Sequence, residues 1–131
     1  MTDQTRPQWA DLPHGDAIDA LLDELRTLSP DEARAMITAW RVAGRAMEDA
    51  AWAAWRAAKG AERTAAVGDA LGINATMDAA RPAAWEATRA LIVADLVGQY
   101  GLTRDHLDIL TGPARTIPRL STIIDRALGA R

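Results

Sequence analysis

The chain has no cysteine and no phenylalanine, and only one tyrosine, Tyr100, among its 131 residues. Without cysteine, disulfide bonds, thiol catalysis and thiolate zinc sites are excluded. No apolar run approaches the roughly 18 residues that a membrane span needs. Residues 1–16 also lack the basic and apolar parts of a signal peptide. We therefore predict a soluble, cytoplasmic protein that does not contact a membrane.

Acidic and basic residues are interspersed, and the net charge is −3. No block of like charge is long enough to act as a nucleic-acid tail or a membrane anchor. The chain has 29 alanines, and alanine is the strongest helix former. Alanine faces let helix backbones approach closely, while a few tryptophans fill the larger gaps. The composition therefore predicts an all-α fold, a bundle of about five or six helices.

Residues 1–15 contain Pro7, Pro13 and Gly15, which do not sustain a helix. We expect an irregular N-terminal arm there, pinned to the body by Trp9 and Leu12. The bundle domain then comprises residues 16–131.

The first helix is expected to begin at Asp16, whose carboxylate can cap free amides. Its apolar face recurs at helical spacing. That face comprises Ile18, Leu21, Leu22, Leu25 and Leu28. A second start is clearer, because Ser29 is a good N-cap, Pro30 suits the first helical position and two acids follow. No stop precedes Gly60, so this helix would have about 30 residues and a length of roughly 45 Å.

One stripe of the second helix is expected to face the core. It comprises Met36, Ile37, Trp40, Ala43, Met47, Ala51, Ala54, Trp55 and Ala58. Trp52 lies roughly 120° away from Trp40. Either another helix covers Trp52, or it centres a patch for protein docking or self-association, since tryptophan and arginine dominate interface hot spots. The candidate interaction patch comprises Arg41, Arg45, Glu48, Trp52 and Arg56.

Weaker patterns follow Gly60. We expect a short helix over residues 60–76 with a turn at residues 72–74. Pro82 then either opens the next helix or kinks one that begins near Asn74 or Thr76. Beyond it, apolar residues cover most of the helix circumference, which predicts a central helix. They are Trp85, Leu91, Ile92, Val93, Leu96, Val97 and Tyr100. A last helix is expected from Pro118, burying Leu120, Ile123, Ile124 and Leu128.

Chemistry-bearing groups are sparse. Asp95 interrupts the apolar run, and we expect it to be a structural carboxylate bonded to an arginine or to backbone amides. His14 and His106 have no neighbouring nucleophile. Asp105, His106 and Asp108 diverge on a helix, which argues against a metal site. We assign no catalytic, cofactor-binding or metal-binding residue, and we predict neither an enzyme nor a small-molecule substrate. An enzyme would need a pocket that combines Asp95, His106 or an arginine.

Residues 91–110 imitate a helix-turn-helix, because Gly101 and Thr103 make a turn and an N-cap, and Leu107 and Leu110 return to the core. A DNA-binding regulator that uses this segment is the alternative function. Two carboxylates on the would-be recognition helix oppose nucleic-acid binding.

The runs AMEDAAWAAWRAAKGAERTAAVGDAL and ATRALIVADLVGQYGLTRDHLDILTGP resemble a group of small Ala- and Trp-rich helical proteins common in actinobacteria and their phages. The resemblance covers residues 46–113. It implies a helical fold and an actinobacterial or phage origin, and it carries no activity across. Together these features predict a non-enzymatic protein-interaction or accessory protein that acts through its helix surfaces, either by self-association or as a phage-encoded factor directed at a host protein.

Overall fold

The computed structural model describes residues 7–74 and 80–129. Six α-helices and two short 3-10 turns make up the ordered elements of that part, which confirms the all-α bundle. The α-helices are α1 (Gly15–Leu25), α2 (Pro30–Gly60), α3 (Thr64–Asn74), α4 (Arg81–Val93), α5 (Arg104–Thr111) and α6 (Pro118–Leu128). The 3-10 turns span Ala94–Leu96 and Ala114–Thr116.

Helix α4 is the central element and contacts each of the other five helices. Ten of its residues are buried, from Ala83 and Ala84 through Glu86 to Val93. Pro82 lies in its first turn, so the prediction that proline opens this helix is confirmed. The other predicted start, near Thr76, lies outside the described residues. The predicted turn at residues 72–74 is wrong, because α3 continues through Asn74.

The N-terminal arm packs onto the core through Trp9, which is almost fully buried. The Trp9 indole Nε1–H donates to Asp19 of α1 at 2.7 Å. The backbone N–H of Gln8 donates to Asp69 of α3 at 3.1 Å. Helix α1 begins at Gly15, one residue before the predicted start, and Asp16 lies in its first turn instead of capping it.

The start of α2 follows the predicted signals. Ser29 accepts from the Glu32 N–H, and the Glu32 carboxylate accepts from the Ser29 N–H, a complete capping box. Arg119 of α6 extends this corner, because its guanidinium donates to both Glu32 and Glu24. One arginine therefore ties the end of α1, the start of α2 and the last helix together.

Helix α2 is not the single straight rod that the sequence predicts. Gly44 has φ 51° and ψ −121°, a backbone conformation outside the helical region that residues with a Cβ avoid. The helix therefore kinks there and consists of a segment before Gly44 and a second segment over residues 45–60. Helix α2 packs against α4 and α5, and six of its seven buried residues lie in the second segment.

The central helix ends earlier in the structure than the apolar run to Tyr100 predicts. Helix α4 stops at Val93, and Val97 and Tyr100 are exposed, outside any helix. Gly98, Tyr100 and Gly101 all have positive φ, so the chain makes a tight turn over residues 97–101. Thr103 then caps α5 as predicted, with its side chain accepting from the His106 N–H.

Candidate functional site

Alanine, and not tryptophan, forms the buried face of α2 after the kink. The buried residues are Met47, Ala50, Ala53, Ala54, Ala57 and Ala58. Small side chains let α4 and α5 pack close to the helix backbone. This arrangement corrects the predicted core stripe at Trp55, which is 38% exposed.

Both tryptophans of this segment lie on its solvent side. Trp52 is 58% exposed, so the expectation that another helix covers it is wrong. The Trp52 and Trp55 rings stack with centroids 5.0 Å apart and an interplanar angle of 4°. Lys59 continues this row, with its ammonium Nζ 5.0 Å from the centroid of the Trp55 ring. Spacings of three and four residues bring these side chains onto neighbouring turns of the helix.

We call this surface the tryptophan face. It comprises the exposed residues of α2 after the kink that lie within about 60° of Trp52 at the helical repeat of about 100° per residue, together with Tyr100. Its members are Arg45, Glu48, Asp49, Trp52, Trp55, Arg56, Lys59 and Tyr100. Four of the five predicted patch residues belong to it.

Tyr100 joins the tryptophan face from the turn after α4. Its hydroxyl donates to the Gly60 carbonyl at 3.1 Å, and its ring lies where a side chain on Gly60 would be. Tyr100 has φ 54°, a conformation that costs a non-glycine residue about 1–2 kcal/mol. Gly98 and Gly101 also have positive φ. Three residues of this turn thus adopt the left-handed conformation, and the turn places Tyr100 against the end of α2.

A shallow hollow of about 530 Å³ lies between these elements. Its lining is Trp55, Arg56, Lys59, Gly60 and Tyr100. Aromatic surfaces and two cationic groups thus converge on one open depression at the C-terminal end of α2. Such a depression can accept a partner's side chain more readily than it can enclose a small molecule.

Arg41, the fifth predicted patch residue, lies apart from the tryptophan face because it precedes the kink at Gly44. It lines a separate hollow of about 310 Å³. That lining is Trp40, Arg41, Gly44, Met47, Glu48, Ala51 and Glu86. Only Glu48 belongs to both surfaces. The kink therefore divides what a straight helix would have kept as one patch.

Glu86 contributes a buried carboxylate to the lining of this hollow. Its carboxylate accepts from the Arg89 guanidinium at 2.5 Å, and Arg89 in turn lies over the Trp85 ring. Burial raises the pKa of the Glu86 carboxyl, although Arg89 acts in the opposite direction. This pair was not among the predicted site residues, and its only signal in the sequence is the three-residue spacing of opposite charges on α4.

Asp95 is held as the sequence predicts. Arg63 donates to both of its carboxylate oxygens, at 2.5 and 2.9 Å, and also to the Ile92 carbonyl. The Arg63 guanidinium lowers the pKa of the Asp95 carboxyl. This bidentate pair joins the turn after α4 to the loop after α2, and the expected bond of Asp95 to an arginine is confirmed.

The helix-turn-helix candidate has most of its polar groups engaged within the chain. Arg104 donates to Asp108 and to the carbonyls of Leu128 and Gly129. His106 accepts from the Thr103 N–H through Nδ1. These bonds fasten α5 to its own cap and to the end of α6. The recognition helix of the DNA-binding alternative would have to break them to offer its only arginine to a phosphate.

A third hollow, about 340 Å³, lies between the start of α1 and α6, with His14, Asp16 and Arg126 among its lining residues. Within the described ranges, no group of three or more histidine, aspartate and glutamate side chains is placed to hold a metal ion. In the same residues, no helix combines the length and the apolar character of a membrane span.

Comparison of the chain with family models, curated proteins and solved structures finds no match.

Proposed function

We propose that this chain is a non-enzymatic protein-interaction module that binds its partner through the tryptophan face. The observation that carries the proposal is the inverted placement of side chains on α2: alanines fill the core side, and two stacked tryptophans lie in solvent. Exposed tryptophan loses the free energy that burial would supply. A docking surface explains why the larger side chains are on the outer side.

Two features suit the tryptophan face to tight binding. Tryptophan, tyrosine and arginine are the residues that most often dominate interface energetics, and all three types occur here. The Trp52–Trp55 stack and the Tyr100–Gly60 hydrogen bond also hold the rings in place before binding. A preorganised surface loses less side-chain entropy on association.

The proposal includes a cytoplasmic location, which the absence of cysteine favours. It also includes an accessory role, with a phage-encoded, host-directed factor as one form of it. The resemblance to Ala- and Trp-rich helical proteins implies an actinobacterial or phage origin and no activity. DNA binding through residues 91–110 stays the alternative. The intrachain bonds of Arg104 give that alternative less support than the tryptophan face gives to protein binding.

Site-specific photo-crosslinking in the producing cells tests the proposal. A benzophenone amino acid replaces Trp52 in one variant and Arg34 in a control variant, because Arg34 lies on α2 before the kink and outside the tryptophan face. We expect discrete protein adducts from position 52 and none from position 34. Equal adduct yields from the two positions would overturn the proposal.

A further inference from the structure

The charges of the tryptophan face are ordered along the helix. Glu48 and Asp49 precede the tryptophan pair, whereas Arg56 and Lys59 lie at its C-terminal end. All four side chains are exposed. Around its aromatic middle, the face therefore has two carboxylates on the N-terminal side, preceded by Arg45, and two cations on the C-terminal side.

This order is symmetric about the aromatic pair. Glu48 lies four residues before Trp52, and Lys59 lies four residues after Trp55. At 1.5 Å per residue, each charge is about 6 Å from its nearer tryptophan along the helix axis. A two-fold axis between the two tryptophans would therefore bring opposite charges face to face.

We infer that the tryptophan face binds a second copy of this chain, with the two α2 helices antiparallel. The inference rests on the proposed function and names the partner. In this register Trp52 lies opposite the partner's Trp55, and Glu48 lies opposite the partner's Lys59. Measured along the helix axis, Asp49 and the partner's Arg56 are about 3 Å apart in this register.

Symmetry doubles each of these contacts, as expected for an isologous interface. Each copy contributes two tryptophans to the centre of the interface, and four ion pairs lie at its rim. Arg45 lies opposite the C-terminal end of the partner helix, where the helix dipole favours a cation. A parallel arrangement would instead place Glu48 against the partner's Glu48, so the charges select one orientation.

Single-stranded nucleic acid is the other class of ligand that stacks on exposed aromatics beside cations. Glu48 and Asp49 argue against it, because a strand that crosses both tryptophans would bring phosphate towards two carboxylates. The antiparallel copy instead uses these carboxylates.

The test is a charge exchange followed by sedimentation velocity of the full chain over about 1 μM to about 1 mM. We expect the wild type to dimerise, and Glu48→Lys and Lys59→Glu each to weaken dimerisation by about tenfold or more. The double variant E48K/K59E should return to within about threefold of wild type. An equimolar mixture of the two single variants should form heterodimers, since both pairs across that interface are then attractive.

Several outcomes would overturn the inference. The first is a wild type that is monomeric over the whole concentration range, and the second is a dimer that neither Glu48→Lys nor Lys59→Glu weakens. The third is saturable quenching of tryptophan fluorescence by oligothymidylate, with one strand bound per chain. Circular dichroism of each variant verifies that the helices are retained. If the chain is monomeric but position 52 crosslinks to a different protein, the inference fails and the proposed function stands. If position 52 yields no adduct above the control, the proposed function itself fails.

Discussion

The Tyr100 ring occupies the space that a side chain on Gly60 would need, and the Tyr100 hydroxyl donates to the carbonyl of that same glycine. Gly60 does not have a positive φ, so its backbone conformation does not require glycine. The ring alone explains why the last residue of α2 lacks a Cβ. This contact fixes one edge of the tryptophan face.

The effect of Gly60→Ala on the free energy of unfolding should therefore have opposite signs in the presence and in the absence of the Tyr100 ring. In the wild type it displaces the Tyr100 ring and should lower the free energy of unfolding by about 1 kcal/mol, the value of one lost hydrogen bond. In a Tyr100→Ala background it should raise that free energy by about 0.5–1 kcal/mol, because alanine is the better helix former. Urea unfolding of the four proteins of this double-mutant cycle measures the coupling. Effects of the same sign in both backgrounds would contradict the contact.

The kink at Gly44 predicts opposite effects for two glycine-to-alanine changes. Gly44→Ala should lower the free energy of unfolding by about 1–3 kcal/mol, because its positive φ is strained for any residue with a Cβ. Gly68 lies within α3 with open space around a built Cβ, so Gly68→Ala should raise that free energy by about 0.5–1 kcal/mol. Thermal or urea unfolding of the two variants checks the difference. A neutral Gly44→Ala with increased helical ellipticity would mean that α2 prefers to be straight.

Much of the fold follows from local signals in the sequence. Ser29 with Pro30, Pro82, Thr103 and Pro118 open or cap helices close to where they are predicted to, because capping and proline geometry depend on a few adjacent residues. The apolar run around Asp95 predicts a carboxylate that needs a partner if buried; the residue is exposed, yet it is paired with an arginine as expected. Its partner Arg63, 32 residues away, was beyond any local signal.

The candidate site was predicted less well, for a packing reason. Helical periodicity assigns Trp55 to the core because tryptophan is large and apolar, yet five alanines and Met47 form that core. Which side of an alanine-rich helix is buried depends on how closely its neighbours approach, and α4 and α5 approach from the alanine side. The kink, at which Arg41 shares a hollow with Glu48 alone among the patch residues, depends on one glycine dihedral that the periodicity does not reveal.

Two tryptophans should respond very differently to truncation. Trp9 is buried and hydrogen-bonded to Asp19, so Trp9→Ala should lower the free energy of unfolding by about 3–5 kcal/mol. Trp52→Ala removes an exposed ring and should change it by less than about 1 kcal/mol. Unfolding should be followed at low micromolar concentration, where self-association contributes least. A large loss from Trp52→Ala in a monomeric sample would show that the ring serves the fold instead of a partner.

The Glu32–Arg119 contact predicts how stability depends on pH. Hydrogen bonds from Arg119 and, second, from the Ser29 N–H lower the pKa of the Glu32 carboxyl from 4.5 to about 2. Because the folded-state pKa lies below the unfolded one, the stabilisation is fully present above about pH 4.5 and is lost as the pH falls towards about 2. The free energy of unfolding of the wild type should therefore decrease on acidification across this window. Glu32→Gln should flatten that decrease, because glutamine can still accept from the Ser29 N–H but does not titrate.

Two companion variants identify the cause of this acid dependence. Arg119→Gln removes the donor and should flatten the same window, and its combination with Glu32→Gln should flatten it little further, since both act on one contact. Asp95 also has a lowered pKa, through Arg63. Asp95→Asn should therefore remove a separate part of the acid dependence, additive with Glu32→Gln. Urea unfolding at half-unit pH steps of the wild type, the three single variants and the two double variants measures these effects. An unchanged acid dependence in Arg119→Gln would mean that the cross-helix arginine does not set the Glu32 pKa.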